Sequence, residues 1–150
     1  MASSSLANLS DCAAIRRRVA QLDPARRPRW GRMTAPEMVC HLADAFRVAL
    51  GTKPAKPLKG FAPWFAKWYA LHTPLPWPHG VPTVPEVEPG KAGTPPARWE
   101  QDCAELDGLI EAFAKRRQFA RHPLWGTLTE SEWLTWGYRH TDHHLRQFGV

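Results

Sequence analysis

Two capping boxes constrain the fold of this 150-residue chain more than any other feature of its sequence. Thr34 is followed three residues later by Glu37, and Thr129 is followed three residues later by Glu132. In such a pair, each side chain accepts a hydrogen bond from a free backbone N–H group at the start of a helix. Apolar residues at three- and four-residue steps follow both boxes. The sequence therefore predicts that a helix starts at each of them.

Apolar residues recur at helical spacing in two further segments, so four long helices are predicted. Their ranges are about residues 11–22, 34–51, 97–119 and 130–148. The chain shows no segment that alternates apolar and polar residues in the manner of a strand, and it shows no internal repeat. The expected fold class is all-α, with the four helices packed as a bundle.

The connection between the second and third predicted helices, residues 52–96, is too long for a simple bundle loop. It contains an aromatic segment, residues 61–72, that is interpreted as a short extra helix. Prolines dominate residues 73–96 and no period survives there. We expect that part of the crossover to be extended and irregular, and to lie across the bundle or over its mouth.

His140 and His144 stand four residues apart near the end of the last predicted helix. Side chains at this spacing leave the same face of a helix about 6 Å apart, so two imidazoles can bind one metal ion. His41 lies in the apolar stripe of the second helix and is the best candidate for a third ligand. An unpaired imidazole in an apolar core is costly, whereas three rings around one ion are mutually satisfied. The alternative for each ring is a neutral, hydrogen-bonded core histidine.

This histidine pattern resembles that of the DinB-like superfamily of metalloenzymes. The resemblance rests on His41 early in the second helix and on the H-x-x-x-H of the last helix, which Arg146 and Gln147 follow. The chain is most similar to a branch described as a domain of unknown function, and the likeness extends over nearly the whole chain. The segments that carry this likeness are residues 122–128, 132–133 and 140–149.

The resemblance implies both an architecture and a metal site. The architecture is an up-down-down-up four-helix bundle, in which the long crossover lets the second and third helices run parallel. The metal ligands carried over by position are His41, His140 and His144. Zinc is the expected ion, with nickel or iron as alternatives, because an all-imidazole site suits each of these metals. Relatives in the superfamily include transferases and isomerases that use small thiols such as bacillithiol or mycothiol.

Three neutral imidazoles leave the charge of a divalent ion uncompensated, so such a site is expected to favour an anion. A bound water would serve hydrolysis, and a bound thiol would become a nucleophilic thiolate. The resemblance favours the thiolate. The expected function is therefore that of a divalent-metal-dependent enzyme, a thiol-dependent S-transferase that acts on a small electrophile under Trp64, Trp68 or Trp77. The alternative is a bundle that binds a metal or a small ligand without catalysis.

No catalytic residue is assigned from the sequence. The sequence leaves two alternatives for four polar residues near the end of the last helix. Each could belong to the site or could be a solvated or capping residue: Asp142, His143, Arg146 and Gln147. Of these, His143 is expected to point to one side of the apolar stripe. Cys12, Cys40 and Cys103 form an odd, sparse set without a C-x-x-C motif, so they are expected to be structural thiols.

Composition and charge limit the remaining classes of function. Apolar residues make up 43% of the chain, which is enough for one core, and we expect a single domain over residues 1–150. No apolar run reaches the length of a membrane span and no secretory signal is visible, so the predicted location is the cytoplasm. A net charge of +6 keeps nucleic acid open as a partner, but the basic clusters are short and scattered, and none is expected.

The tryptophan content bears on self-association. Eight tryptophans are many for a small bundle to bury. The aromatic segment at residues 61–72 is therefore also a candidate homodimer surface.

Overall fold

The computed structural model describes residues 4–58 and 64–150, and within these ranges the protein is helical, without strands. The described residues form five α-helices: α1 (Leu9–Val19), α2 (Ala35–Leu50), α3 (Trp64–His72), α4 (Trp99–Ala114) and α5 (Glu130–Gln147). A 3-10 turn lies in the crossover at Pro85–Val87. In the described ranges, the helices are all too short or too polar to cross a membrane.

Both capping boxes form as predicted. The Thr34 side chain accepts a hydrogen bond from the Glu37 N–H, and the Glu37 carboxylate accepts one from the Thr34 N–H. Thr129 and Glu132 make the same exchange at the start of α5. Gly51 ends α2 in the left-handed conformation, with a φ of 79° that suits glycine. The two helices that carry the histidines therefore start where the sequence indicates.

The long helices pack around one apolar cluster, which confirms the all-α fold class. Helix α2 contacts α4 and α5, and α1 contacts the same two helices. A Cβ atom at Gly137 would lie 2.6 Å from a ring carbon of Phe113, so glycine here lets α5 approach α4 closely. The side chains at the centre of this cluster include Ile15, Met38, Leu42, Phe46, Leu106, Ile110, Phe113, Trp133 and Leu145.

Two predicted helices have different ends in the structure. Helix α1 begins earlier than predicted because the Asn8 side chain accepts hydrogen bonds from the N–H groups of Ser10 and Asp11. Helix α4 stops at Ala114 rather than near residue 119. Phe119, whose spacing suggested a longer helix, packs on Phe113 after the chain has turned. The extra helix is present as α3, and residues 61–63 of its predicted range lie outside the described residues.

The crossover is tied to α2 at both of its ends by Asp44. The Asp44 carboxylate is fully buried and accepts hydrogen bonds from Lys53 Nζ at 2.7 Å and from the Thr94 N–H at 2.6 Å. Arg47 Nη1 also donates to it, at 2.7 Å. Between these anchors, Val84 and Val87 pack on α2, so the 3-10 turn lies against the helix that carries His41.

Candidate metal centre

The structure brings His41, His140 and His144 into one cluster. One ring nitrogen from each lies within 4.8 Å of the others, and the three together could hold a metal ion. The ring centroids of the three pairs are 4.8 to 5.2 Å apart. The predicted pairing of α2 with α5 through these side chains is therefore present. His41 and His144 are buried and His140 is half-buried.

His41 is oriented by the crossover. Its Nδ1 lies 2.8 Å from the carbonyl oxygen of Val87. Because a carbonyl oxygen only accepts, the proton of the neutral ring is on Nδ1, and Nε2 keeps its lone pair. That Nε2 atom faces His140 at a distance of 3.2 Å between the two Nε2 atoms. The 3-10 turn thus directs a ligand atom of His41 into the cluster.

His144 is oriented by Gln147 in the same manner. His144 Nδ1 donates to Gln147 Oε1 at 2.8 Å, and Gln147 Nε2 donates to the Trp30 carbonyl oxygen at 2.7 Å. The Trp30 carbonyl requires the amide nitrogen on its side, which leaves the amide oxygen for the histidine. A Cβ atom at Gly31, whose φ is 78°, would lie 2.8 Å from Gln147 Nε2. Glycine therefore lets this loop approach the amide.

His140 lacks an orienting partner of this kind. Its Nδ1 is buried and, among the described residues, has no hydrogen-bond partner. Its Nε2 is the atom that lies 3.2 Å from His41 Nε2. Two nitrogens bound at 2.0–2.1 Å to one tetrahedral ion would be about 3.3 Å apart, so this separation suits ligands of a shared ion. A direct hydrogen bond between the two rings has the same length.

Burial keeps all three rings neutral. It lowers the pKa of His41, and it lowers the pKa of His140 and His144 well below the usual value of 6.5, where neighbouring histidines add to the effect. Neutral imidazole is the form that binds a metal ion. Among the described residues the cluster contains histidine only, so the charge of a divalent ion would be balanced by a ligand from outside this cluster.

A cavity of about 580 Å³ opens beside the cluster, and all three histidines contribute to its wall. Of the three tryptophans expected to cover the site, Trp77 lines this cavity and stacks on His140 at a ring separation of 5.8 Å. Trp64 and Trp68 are exposed and lie outside the lining residues. The crossover therefore covers the histidines through Trp77, as the extended segment was expected to do.

The polar residues at the end of α5 divide between the site and the surface. Asp142 forms an ion pair with Arg18 that joins α5 to α1, and a second one with Arg146 on its own helix. His143 does not simply point aside: its ring lines the cavity and lies 5.2 Å from the ring of His144. Gln147 belongs to the site through its bond to His144.

Cys40 takes no part in the cluster, as expected from its position on α2. Burial raises the pKa of its thiol to about 11, and nearby Asp102 and Asp44 add to this effect. Cys103 has its pKa raised to about 11 for the same main reason. All three cysteines are free thiols. Protonated thiols of this kind are poor metal ligands and nucleophiles.

Sequence reasoning found the three histidines but missed the groups that orient them. The Val87 and Trp30 carbonyl oxygens belong to irregular segments, where no period or motif marks them. Gln147 was visible as a candidate, three residues after His144 on the same helix, a spacing that lets two side chains meet. That spacing is the signal that could have assigned it.

Fold and site together define an all-helical protein with a buried three-histidine cluster that could hold a metal ion. Comparison of the chain with protein-family models, curated proteins and solved structures finds no match in any of the three.

Proposed function

We propose that the protein is a DinB-like metalloenzyme, an up-down-down-up helical bundle that binds one divalent ion, zinc in the first instance, through His41, His140 and His144. One observation carries the proposal. The Nδ1 atoms of His41 and His144 are hydrogen-bonded to fixed acceptors, so their Nε2 lone pairs are available to the cluster. Metal-binding histidines commonly have their second nitrogen held in this way.

The proposed reaction is a thiol-dependent S-transfer. When bound, the ion supplies Lewis acidity that stabilises a small thiol in its thiolate form. In the transfer, the thiol sulfur forms a bond to an electrophilic atom of the substrate. The leaving group departs with its electron pair, and the thiol proton goes to solvent or to the leaving group. This substitution requires no oxidant or reductant.

In this scheme, the residues of the chain bind the substrate and exclude water from the cluster. Trp77 lies over His140, and Trp136 lies 4.9 Å from the same ring on another side. These rings keep water from the cluster and provide a wall for the substrate. His143 lines the cavity beside His144, and its ring makes no hydrogen bond within the described residues. Its nitrogens are therefore available to a substrate group.

A second candidate is a bundle that binds a metal or small ligand without turning it over. The apolar cavity favours it, because a mainly apolar wall with several aromatic rings suffices to hold a ligand. No carboxylate lines the cavity among the described residues, so an acid–base pair of that kind is lacking there.

Turnover distinguishes the two candidates. Zinc-reconstituted protein is incubated with a low-molecular-weight thiol and a chromogenic aryl chloride, with and without a chelator. We expect product formation that requires both the thiol and the metal and that His144→Ala abolishes. The matched control is His72→Ala, since His72 is half-exposed and lies outside the cluster. Metal-loaded protein that stays inactive across a panel of thiols and electrophiles would favour the binding module.

A further inference from the structure

The wall of the cavity beside the histidine cluster is mainly apolar and rich in aromatic rings. Among the described residues, seven aromatic side chains from four separate parts of the chain contribute to it: Trp30, Phe65, Tyr69, Trp77, Trp125, Trp133 and Trp136. Flat rings offer large apolar faces and edges that pack best against other flat rings. A volume of about 580 Å³ is within the range of cavities that enclose small organic ligands. The wall therefore suits a planar apolar molecule.

The aromatic wall and the histidine cluster meet at His140. Trp77 is nearly parallel to this ring, at an interplanar angle of 27°, and Trp136 lies 4.9 Å from it. His41 and His144 border the same space. A ligand whose body lies against the tryptophans thus brings one end to the three imidazoles.

The charges around the cavity favour an anion at that end. Among the described lining residues there is no aspartate or glutamate, and Arg32 is the one side chain with a permanent charge. A divalent ion on the cluster adds positive charge that the protein leaves unbalanced.

The rim is apolar as well. Phe65 and Val81 line the cavity and are also 58% and 60% exposed. Apolar side chains at an opening provide a path that an apolar body can follow without losing contact with similar surface.

We propose that the natural ligand of this cavity is a flat aromatic molecule with one anionic group, its rings against the tryptophans and its anion directed at the histidine cluster. The inference deepens the proposed function by naming a substrate class, and its anion preference rests on the proposed metal site.

Binding of matched probes to zinc-loaded protein tests the inference by calorimetry. Naphthoate is the aromatic anion, naphthamide is its neutral counterpart, and hexanoate is an aliphatic anion. We expect naphthoate to bind about tenfold more tightly than either of the others, since each lacks one of the two contacts. Removal of the zinc by a chelator should lower the affinity for naphthoate to a value close to that for naphthamide.

Two pairs of variants locate the site. Ala66→Trp places a large ring in the cavity from α3 and should weaken the binding of naphthoate about tenfold or more. Trp64→Ala changes a side chain outside the cavity and should leave the binding of naphthoate unchanged. Arg32→Gln should lower the affinity for naphthoate about threefold and leave the affinity for naphthamide unchanged, because the substitution removes one exposed positive charge. Arg27→Gln makes the same change of net charge away from the cavity and should have no effect.

The outcomes separate this inference from the proposed function. Equal affinity for all three probes in protein shown to contain zinc overturns the ligand class and leaves the metal site intact. Unchanged naphthoate binding in Ala66→Trp overturns the location. Naphthoate preference that persists without any bound metal overturns the role given to the ion in attracting the anion.

Discussion

Gln147 connects the histidine cluster to the loop that precedes α2. Its Oε1 accepts a hydrogen bond from the His144 Nδ1–H, and its Nε2 donates one to the Trp30 carbonyl oxygen. Without it, His144 could rotate or take the other tautomer, and its Nε2 lone pair would no longer be held toward the cluster.

Gln147→Ala should therefore weaken metal binding while the fold remains. Loss of a group that orients a metal-binding histidine commonly costs about 10- to 100-fold in affinity, and we expect a zinc dissociation constant raised by that factor. Competition with a chromophoric chelator measures it. Gln101→Ala, on the exposed face of α4, is the matched control and should bind zinc as the parent does. Equal affinity in the two variants would remove Gln147 from the site.

His122 provides a prediction on pH and stability. It is buried against Trp125 and Trp133, and burial, with Lys67 nearby, lowers its pKa to about 4. The unfolded chain takes up this proton near pH 6.5, so between these values the unfolded state binds more protons and stability falls as the pH falls. At about 1.4 kcal/mol per pKa unit, the contribution of His122 is about 3 kcal/mol at most.

The measurement is urea unfolding of chelator-treated protein at several pH values between neutral and mildly acid. The buried histidines of the cluster act with the same sign, so the parent loses stability steeply on acidification. His122→Asn should show a shallower dependence, since one titrating group has been removed. Parallel curves for the parent and the variant would contradict this account of His122.

At the scale of the elements, Asp44 holds the crossover against α2. Asp44→Asn would leave Lys53 and Arg47 without their buried counter-charge and would turn an amide donor toward groups that donate. A broken buried pair costs about 3–5 kcal/mol, so we expect a loss of that size in the free energy of unfolding. Proteolysis within residues 73–96 should accelerate, because the anchor at Thr94 is weakened as well.

Urea unfolding and limited proteolysis measure these two effects. Glu111→Gln is the matched control, because Glu111 forms exposed ion pairs with Lys115 and Arg16. Such exposed pairs contribute little to stability because solvent screens them, so the control should stay close to the parent. If Asp44→Asn behaves like this control, the crossover is held in place by other contacts.

Elements with local signals were predictable from sequence, and elements held by distant contacts were not. Capping boxes at Thr34 and Thr129 marked the starts of α2 and α5, because a cap is decided by residues three positions apart. The end of α4 carries no glycine or proline, so the apolar spacing up to Phe119 suggested a longer helix. The 3-10 turn at Pro85–Val87 is held in place by its packing on α2, which no local pattern reveals.

The same division applies to the site. His140 and His144 were predictable because both lie on one helix at a ligand spacing, and His41 because it lies in the apolar stripe of another. The cavity was not predictable, since the aromatic side chains that line it come from segments far apart in sequence. The sequence alone could not distinguish Trp64 and Trp68 from Trp77 as residues that cover the site. The packing of α3 shows that Trp64 and Trp68 face outward.

At the scale of the whole molecule, α3 presents an exposed apolar surface. Trp64 and Trp68, one turn apart on α3, are 74% and 54% exposed, and Leu75 after the helix is 53% exposed. Exposed large apolar side chains of this kind are typical of a protein interface. We therefore predict that the protein forms a homodimer through α3.

Light scattering coupled to gel filtration measures the mass of the particle. We expect a dimer for the parent and a monomer for Trp68→Glu, because a charge in an apolar interface is costly to desolvate. Leu9→Glu is the control, since Leu9 is 88% exposed on α1 and outside this surface. A parent that is monomeric at every concentration would contradict the prediction.

Metal content shows directly whether His41, His140 and His144 share one ion. Untagged protein is measured by inductively coupled plasma mass spectrometry after zinc reconstitution and gel filtration, beside His41→Ala, His140→Ala, His144→Ala and the control His72→Ala. Three ligands from two helices should act together, so we predict about one equivalent in the parent and the control and loss in each cluster variant. A parent without stoichiometric metal, or cluster variants that retain it, would contradict the shared site.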